Sequence, residues 1–274
     1  FLSLLAKPQQ LPRILARLHE MGVLEKFIPA FARVRGMLQF NEYHKYTIDE
    51  HCLLAVRRAI EFAQHPGPLG EIYLAIKQKE ILHLALLVHD LGKGYVEDHS
   101  DVGKRIAGDT ARYLGLSQHQ TEMLEFLVHK HLLMSRAALW HDINDPAVMQ
   151  SFVVEVGSPE VLRMLYVLTA ADMAAVGPDV LNDWKIELLT QFYNRAMKYL
   201  TGGDTLVSDE GWAKKRREKI AGLFGDSTEA TTKLIDSLPV TYLRGTPPEQ
   251  VVEALRRVQT LGKNDVDAWG QHYP

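Results

Sequence analysis

The sequence predicts an all-α fold, and three observations carry that prediction. Apolar residues recur at three- and four-residue spacing along most of the chain. Alternating β-branched runs of strand length are absent. Prolines and glycines fall where such periodic segments begin and end, as helix boundaries require.

Taken in order, LPRILARLHEMGVLEKF (11–27) reads as one or two short helices closing near Gly22 and Pro29. Thr47 and Asp49 are placed to cap a helix running to about Gln64, which HPGPLG then breaks. A single helix is predicted over 69–91, stopping at Gly92. Further helices are predicted over 100–114, 118–133, 146–156, 159–175 and 180–200, with Pro146, Pro159 and Pro178 at or near their starts. TGG at 201–203 marks a break. Beyond it the pattern gives helices near 209–222, 227–236 and 247–260, with SLPVTYLRGTPPEQ as an extended linker. The organisation expected is a lead-in over 1–40, a main domain over 41–200 and a smaller helical extension over 201–274.

Composition narrows the function. At 274 residues and 46% hydrophobic, the chain can bury a sizeable core. It opens on Phe1, and Leu2 to Leu5 is too short for a signal peptide or a membrane span, so it reads as part of a longer or processed chain. One cysteine, Cys52, excludes an internal disulfide and fits a reducing compartment, the cytoplasm. A net charge of -3 argues against a general nucleic-acid surface, and KKRREK at 214–219 reads as a solvated helix face. Histidine is the unusual count: ten of twelve lie between His44 and His141.

Within that span, HDLGKGYVEDH (89–99) follows the apolar run Leu82 to Val88. Imidazoles and carboxylates beside a buried face need a partner or an ion. His89 and Asp90 stand at a helix end with His99 ten residues on, His51 follows TIDE, and HKH occupies 129–131. Asp172 lies in the apolar stretch LYVLTAADMAA, sharing a helical face with Leu165 and Thr169. For Asp172 alone, a metal ligand and an ion-paired carboxylate both remain open. Nitrogen and oxygen donors without cysteine suit Mn, Fe, Mg or Zn as one or two divalent ions.

The order His51, His89-Asp90, Asp172 resembles that of the HD-domain phosphohydrolase superfamily, whose members are helical, metal-dependent phosphomonoesterases or phosphodiesterases. The resemblance implies an HD-domain helical bundle. His141-Asp142 repeats the dipeptide without the flanking helix and glycines and is set aside. FNEYHKYTIDEH, HDLGKGYVEDHSDVG, LVHKHLLMSRAALWHDINDP and LYVLTAADMAAVGP together look like the central HD domain of the bifunctional uridylyltransferase/uridylyl-removing (GlnD-like) family. That likeness spans about 11–255. It implies hydrolytic removal of UMP from the PII signal protein. It also implies metal ligation by His51, His89, Asp90 and Asp172, with His99 and His131 completing a second position around a bridging Asp90.

His131 is preferred over His129 by family register. His141 stands where that family usually carries arginine, which weakens a substrate-anchoring charge. The family's nucleotidyltransferase and ACT domains are not in this sequence, so this chain alone is not expected to transfer UMP or sense glutamine.

Lys93, one turn past His89, is a candidate catalytic contact to the phosphoryl group, or else a helix-end charge. Glu97 and Asp101 are candidates to orient histidines. Arg105 and Arg136 are candidate nucleotide-phosphate contacts, although Arg105, four after Asp101, is also placed for an intrahelical ion pair with it. The competing readings are an HD hydrolase of a free nucleotide and a catalytically silent helical docking scaffold. The GYP triad of cyclic-dinucleotide enzymes is missing.

Overall fold

The computed structural model describes residues 1–38, 46–143, 145–201, 209–225, 229–238, 243, 246 and 248–260. Two compact units form, Phe1–Asp204 and Thr205–Pro274. Among the described residues the structure is helical throughout, with a single isolated bridge, Leu38 to Thr47.

The first unit opens with α1 (Leu2–Leu5), α2 (Leu11–Glu20), α3 (Leu24–Phe27) and α4 (Phe31–Val34). Then come α5 (Ile48–Glu61), α6 (Pro68–Ala75), α7 (Lys79–Val88), a 3-10 turn (Leu91–Gly94) and α8 (His99–Leu114). It closes with α9 (Gln118–His129), α10 (Leu133–Trp140), α11 (Pro146–Val156), α12 (Pro159–Val176) and α13 (Asp183–Leu200). Pro146 and Pro159 each open a helix, with Asp145 and Ser158 accepting from the backbone as caps.

Two helices run through the centre. Every residue of α7 from Ile81 to Val88 is buried, as is α12 from Met164 to Ala171. A helix apolar on all sides needs neighbours all round, and α5, α9 and α1 supply them for α7. The stripe Ile48, Cys52, Ala55 and Ala59 turns α5 toward this core, and α5 packs on both α12 and α7. The two central helices thereby carry His89 and Asp172 to one place.

Several boundaries differ from those the sequence predicts. The helix expected over 69–91 is two, because the chain extends at Ile76 (ψ 122) and Gln78 (ψ 66), where Lys79 Nζ donates to the carbonyls of Leu74 and Ile76. The helix expected over 118–133 ends at His129, and Lys130 (φ -111, ψ 21) turns the chain into α10. Pro178 does not open α13, which begins at Asp183 with Asn182 as its cap. Asp49 does not cap α5; its carboxylate accepts from Gly36 N and pairs with His19.

The second unit holds α14 (Asp209–Phe224), α15 (Glu229–Asp236) and α16 (Pro248–Thr260) around Ile220, Phe224, Ile235, Val251 and Leu255. Within the basic run, Lys219 is exposed as expected, but Arg216 and Arg217 donate to the carbonyls of Thr246 and Leu238. Residues 202–203 of the TGG break, and much of the linker, lie outside the described residues.

Candidate metal centre

Asp90 sits between the end of α7 and the 3-10 turn, at φ -106 and ψ 1, and is 2% exposed. Around it the fold gathers residues from four helices. His51 comes from the first turns of α5, His89 caps α7, Asp172 projects from α12, and His99 begins α8. His131 follows α9 in the turn to α10. His51, His89, Asp90 and His131 are all buried.

Backbone bonds decide which ring nitrogens face inward. His89 Nδ1 lies 2.8 Å from the Leu86 carbonyl and His131 Nδ1 lies 2.7 Å from that of Val128. A carbonyl only accepts, so each Nδ1 carries the proton and each Nε2 is presented to the centre.

His51 Nε2 is 3.3 Å from His89 Nε2, 3.6 Å from Asp90 Oδ2 and 3.0 Å from Asp172 Oδ1. His89 Nε2 is 3.5 Å from each of those two carboxylate oxygens. Donors bound at about 2.1 Å stand about 3.0 Å apart around an octahedral ion and about 3.4 Å apart around a tetrahedral one. The observed spacings fall around those values. Ligand atoms of His51, His89 and Asp90 lie within 4.8 Å of one another, and so do those of Asp90, His99 and His131.

The second group has its own signature. Asp90 Oδ1 and His99 Nε2 are buried without a hydrogen-bond partner, and Asp90 Oδ1 lies 3.8 Å from His131 Nε2. Buried polar atoms left unpaired are costly, and a cation between them satisfies both. With five imidazole or carboxylate groups besides the shared Asp90, and no thiolate, the donor set fits one or two divalent ions.

The charges are mutually supporting. Burial opposes ionisation of Asp90, yet His89 and Lys93 hold its carboxyl well below the ordinary range. Asp172 is likewise held low against its burial by His51 and His89. Burial works against charge on His89, and the Asp90 carboxylate overcomes it, raising the imidazole well above its usual value. His131 goes the other way: burial, with His89 nearby, lowers it to about 4.

The loop geometry is enforced by Gly92. A Cβ there would stand 2.0 Å from the His99 carbonyl oxygen, so only glycine lets the turn after Asp90 lie against the start of α8. Asp98 caps that helix through the amides of Ser100 and Asp101, fixing His99 in its first turn.

Around the centre, Lys93 Nζ lies 2.6 Å from Asp90 Oδ2. Arg105 does not pair with Asp101: it reaches Glu97 at 3.4 Å, while Asp101 takes the exposed side of His129 at 3.0 Å. Neighbours in space displaced the intrahelical pair. Asp101 therefore pairs with a histidine outside both ligand groups, and among the described residues neither it nor Glu97 contacts a ligand histidine. Arg136 is exposed on α10 and close enough to Asp98 to help lower its carboxyl. His141 and Asp142 lie on the surface at the end of α10, outside both ligand groups.

The sequence pattern missed Arg33 of α4. Its Nε donates to Gly94 O at 2.6 Å and its guanidinium covers the Tyr95 ring at 4.2 Å. Nothing local signals a partner 61 residues away.

Compared with known families, residues 48–157 match the HD domain. Asp172 lies beyond the matched stretch and is joined to it by its contacts with His51 and His89. Residues 48–157 are thus similar to the HD domain, and within this all-helical bundle the clustered histidines and aspartates are consistent with a metal-dependent phosphohydrolase active site.

Proposed function

We propose that this chain is the hydrolase domain of a uridylyl-removing enzyme, cleaving the phosphodiester between UMP and a tyrosine of a PII-type signal protein. The observation that carries the hydrolytic part is Asp90, whose Oδ2 faces one ligand group and Oδ1 the other. The choice of substrate rests on the sequence blocks around His51, His89, His131 and Asp172.

A divalent ion (Mn, Mg, Fe or Zn) supplies Lewis acidity and a water nucleophile competent at neutral pH. His51, His89, Asp90 and Asp172 would hold one ion, and Asp90, His99 and His131 a second. Backbone bonds to Leu86 and Val128 keep the Nε2 atoms of His89 and His131 unprotonated and aimed inward when the rings are neutral.

Lys93 stands beside Asp90 with a quarter of its side chain accessible, 26%. Once an ion shares that carboxylate, its ammonium is placed to meet charge developing on the phosphoryl oxygens. Arg136, at the surface near Asp98, and Arg105 on α8 are the candidate contacts to the nucleotide at the rim. PII recognition would draw on the nucleotidyltransferase and ACT domains of a longer cytoplasmic protein. No described helix is long and apolar enough to cross a membrane.

The test is the metal-loaded chain offered bis-p-nitrophenyl phosphate, uridylylated PII, free nucleotides and cyclic dinucleotides. Cleavage of the small diester together with release of UMP from PII is expected. A fully loaded chain that cleaves neither would defeat the hydrolase reading and favour a docking scaffold. Preferential cleavage of a free nucleotide would keep the hydrolase and replace its substrate.

A further inference from the structure

A cavity of about 740 Å3, open to solvent, is lined by the α3–α4 segment, by Tyr95 just after the turn that follows Asp90, and by α8. None of the candidate metal ligands lines it. Its size is that of sites for small organic ligands, about 300–1,000 Å3. Tyr95, Tyr113 and Ile106 give it an aromatic and apolar wall.

Its polar lining includes Arg33 and Asp109, both exposed, and the buried Thr110. Arg33 is held twice, by its Nε bond to Gly94 O and by its face on Tyr95. Among the described residues, the two terminal nitrogens of that guanidinium make no hydrogen bond to the protein. Thr110 is 4% exposed and lines the same space, and its hydroxyl also has no protein partner among the described residues. The nearby acids are engaged: Asp109 with Arg112, and Glu97 with Arg105. A guanidinium fixed through one edge and one face, with its fork unspent, suits an oxyanion bound by two parallel hydrogen bonds.

We propose that this cavity binds a small molecule bearing an oxyanion, carboxylate or phosphate, on an aromatic body. The anion would meet Arg33 and Thr110, and the ring would lie against Tyr95 and Tyr113. The site reaches the metal centre through one bond. Gly94, which Arg33 holds, ends the turn that follows Asp90 and contains Lys93, so an occupant that fixes Arg33 also fixes that turn.

The test uses chelated protein, so that probes cannot bind through an ion, and it requires no hydrolysis. Its failure leaves the proposed reaction untouched, and failure of that reaction leaves this site untouched. Benzoate, phenyl phosphate and inorganic phosphate are titrated calorimetrically against wild type, Arg33→Ala and Thr110→Val. A ring-bearing probe is expected to bind at millimolar concentration or tighter, and better than inorganic phosphate. Which of the two ring probes binds tighter assigns the anion.

Arg33→Ala should weaken binding by about tenfold or more, as loss of a charge-assisted contact does. Because that variant also releases Gly94, Thr110→Val serves as the second variant; it leaves the clamp intact and should weaken binding by about threefold. Bound probe should slow hydrogen exchange of the Lys93 and Tyr95 amides, which donate to Asp90 O and Gly92 O within the turn. Absence of binding by every probe at 10 mM (roughly the weakest affinity worth calling a site), or equal binding to all three proteins, overturns the proposal. Unchanged exchange in the turn on saturation removes the link to the metal centre.

Discussion

His83 and His89 lie six residues apart on α7, and both are wholly buried. Each donates Nδ1 to a backbone carbonyl, His83 to Leu5 at 2.7 Å and His89 to Leu86 at 2.8 Å. They part at the other nitrogen. His83 Nε2 meets the Tyr73 hydroxyl at 3.2 Å, whereas His89 Nε2 meets His51 and two carboxylates. Burial accordingly drives His83 down to about 4, while Asp90 lifts His89 well above its ordinary value. Burial by itself makes a structural imidazole. A carboxylate at the free nitrogen makes one that can hold either a proton or a cation.

The sharpest way to break this comparison is to remove the carboxylate. Asp90→Ala should lose metal from both ligand groups and reduce diester hydrolysis to background, since Asp90 is the residue the groups share. Elemental analysis after dialysis checks it, and unchanged metal content would refute the shared role. His131→Ala should spare binding of an ion at the proposed first set, His51, His89, Asp90 and Asp172.

Next in size is Lys93→Ala. Metal should be retained, and bound at least as tightly, because the ammonium now occupies Asp90 Oδ2. A fall in kcat/KM on the small diester of about 10²–10³ is expected from losing one electrostatic contact to the transition state. A wild-type rate would reduce Lys93 to a helix-end charge.

His83→Ala should act on the fold alone. It leaves a cavity and unpairs the Tyr73 hydroxyl and the Leu5 carbonyl, so a loss of about 2–4 kcal/mol is expected in urea unfolding, with metal content unchanged. Loss of metal on removing His83 would erase the distinction between His83 and His89.

The smallest effect is a pH dependence. Between about pH 6.5 and 4 the unfolded chain protonates His83 and the folded chain does not, so this residue's contribution falls as pH falls through that window. From pH 7 to pH 5 the loss is on the order of 2 kcal/mol. His89 has the opposite sign: stability from its raised value is present at low pH and lost as pH rises through it. Comparing metal-free wild type with His83→Leu isolates the His83 contribution, because the variant should lack that part of the acid sensitivity.

These differences mark where sequence reading stops. His89 stood out because Asp90, two glycines and His99 follow it, whereas His83 is one polar residue in an apolar helix with no such neighbours. Asp172 was legible as a candidate because a carboxylate in LYVLTAADMAA requires a partner. The breaks at 76–78 and 130–132 were not, since periodicity continues across them and the bonds that stabilise them come from Lys79 and from tertiary packing. The partner of Arg105 was misjudged for the same reason. Helical spacing offers Asp101, but Glu97 from the preceding loop and His129 from α9 compete for the two side chains.

The sequence by itself determined the helical class, the proline-opened helices and the need of a few polar groups for a shared solution inside an apolar core. Those follow from local periodicity, backbone restriction and the cost of desolvation, each of which acts within a turn or two of chain. Tertiary structure alone decided that Asp172 closes on His51 across 121 residues, that Asp90 presents a different oxygen to each ligand group, and that Arg33 clamps Gly94. Distances of 3 to 4 Å between side chains depend on how helices pack, and packing is a property of the whole core rather than of any segment in it.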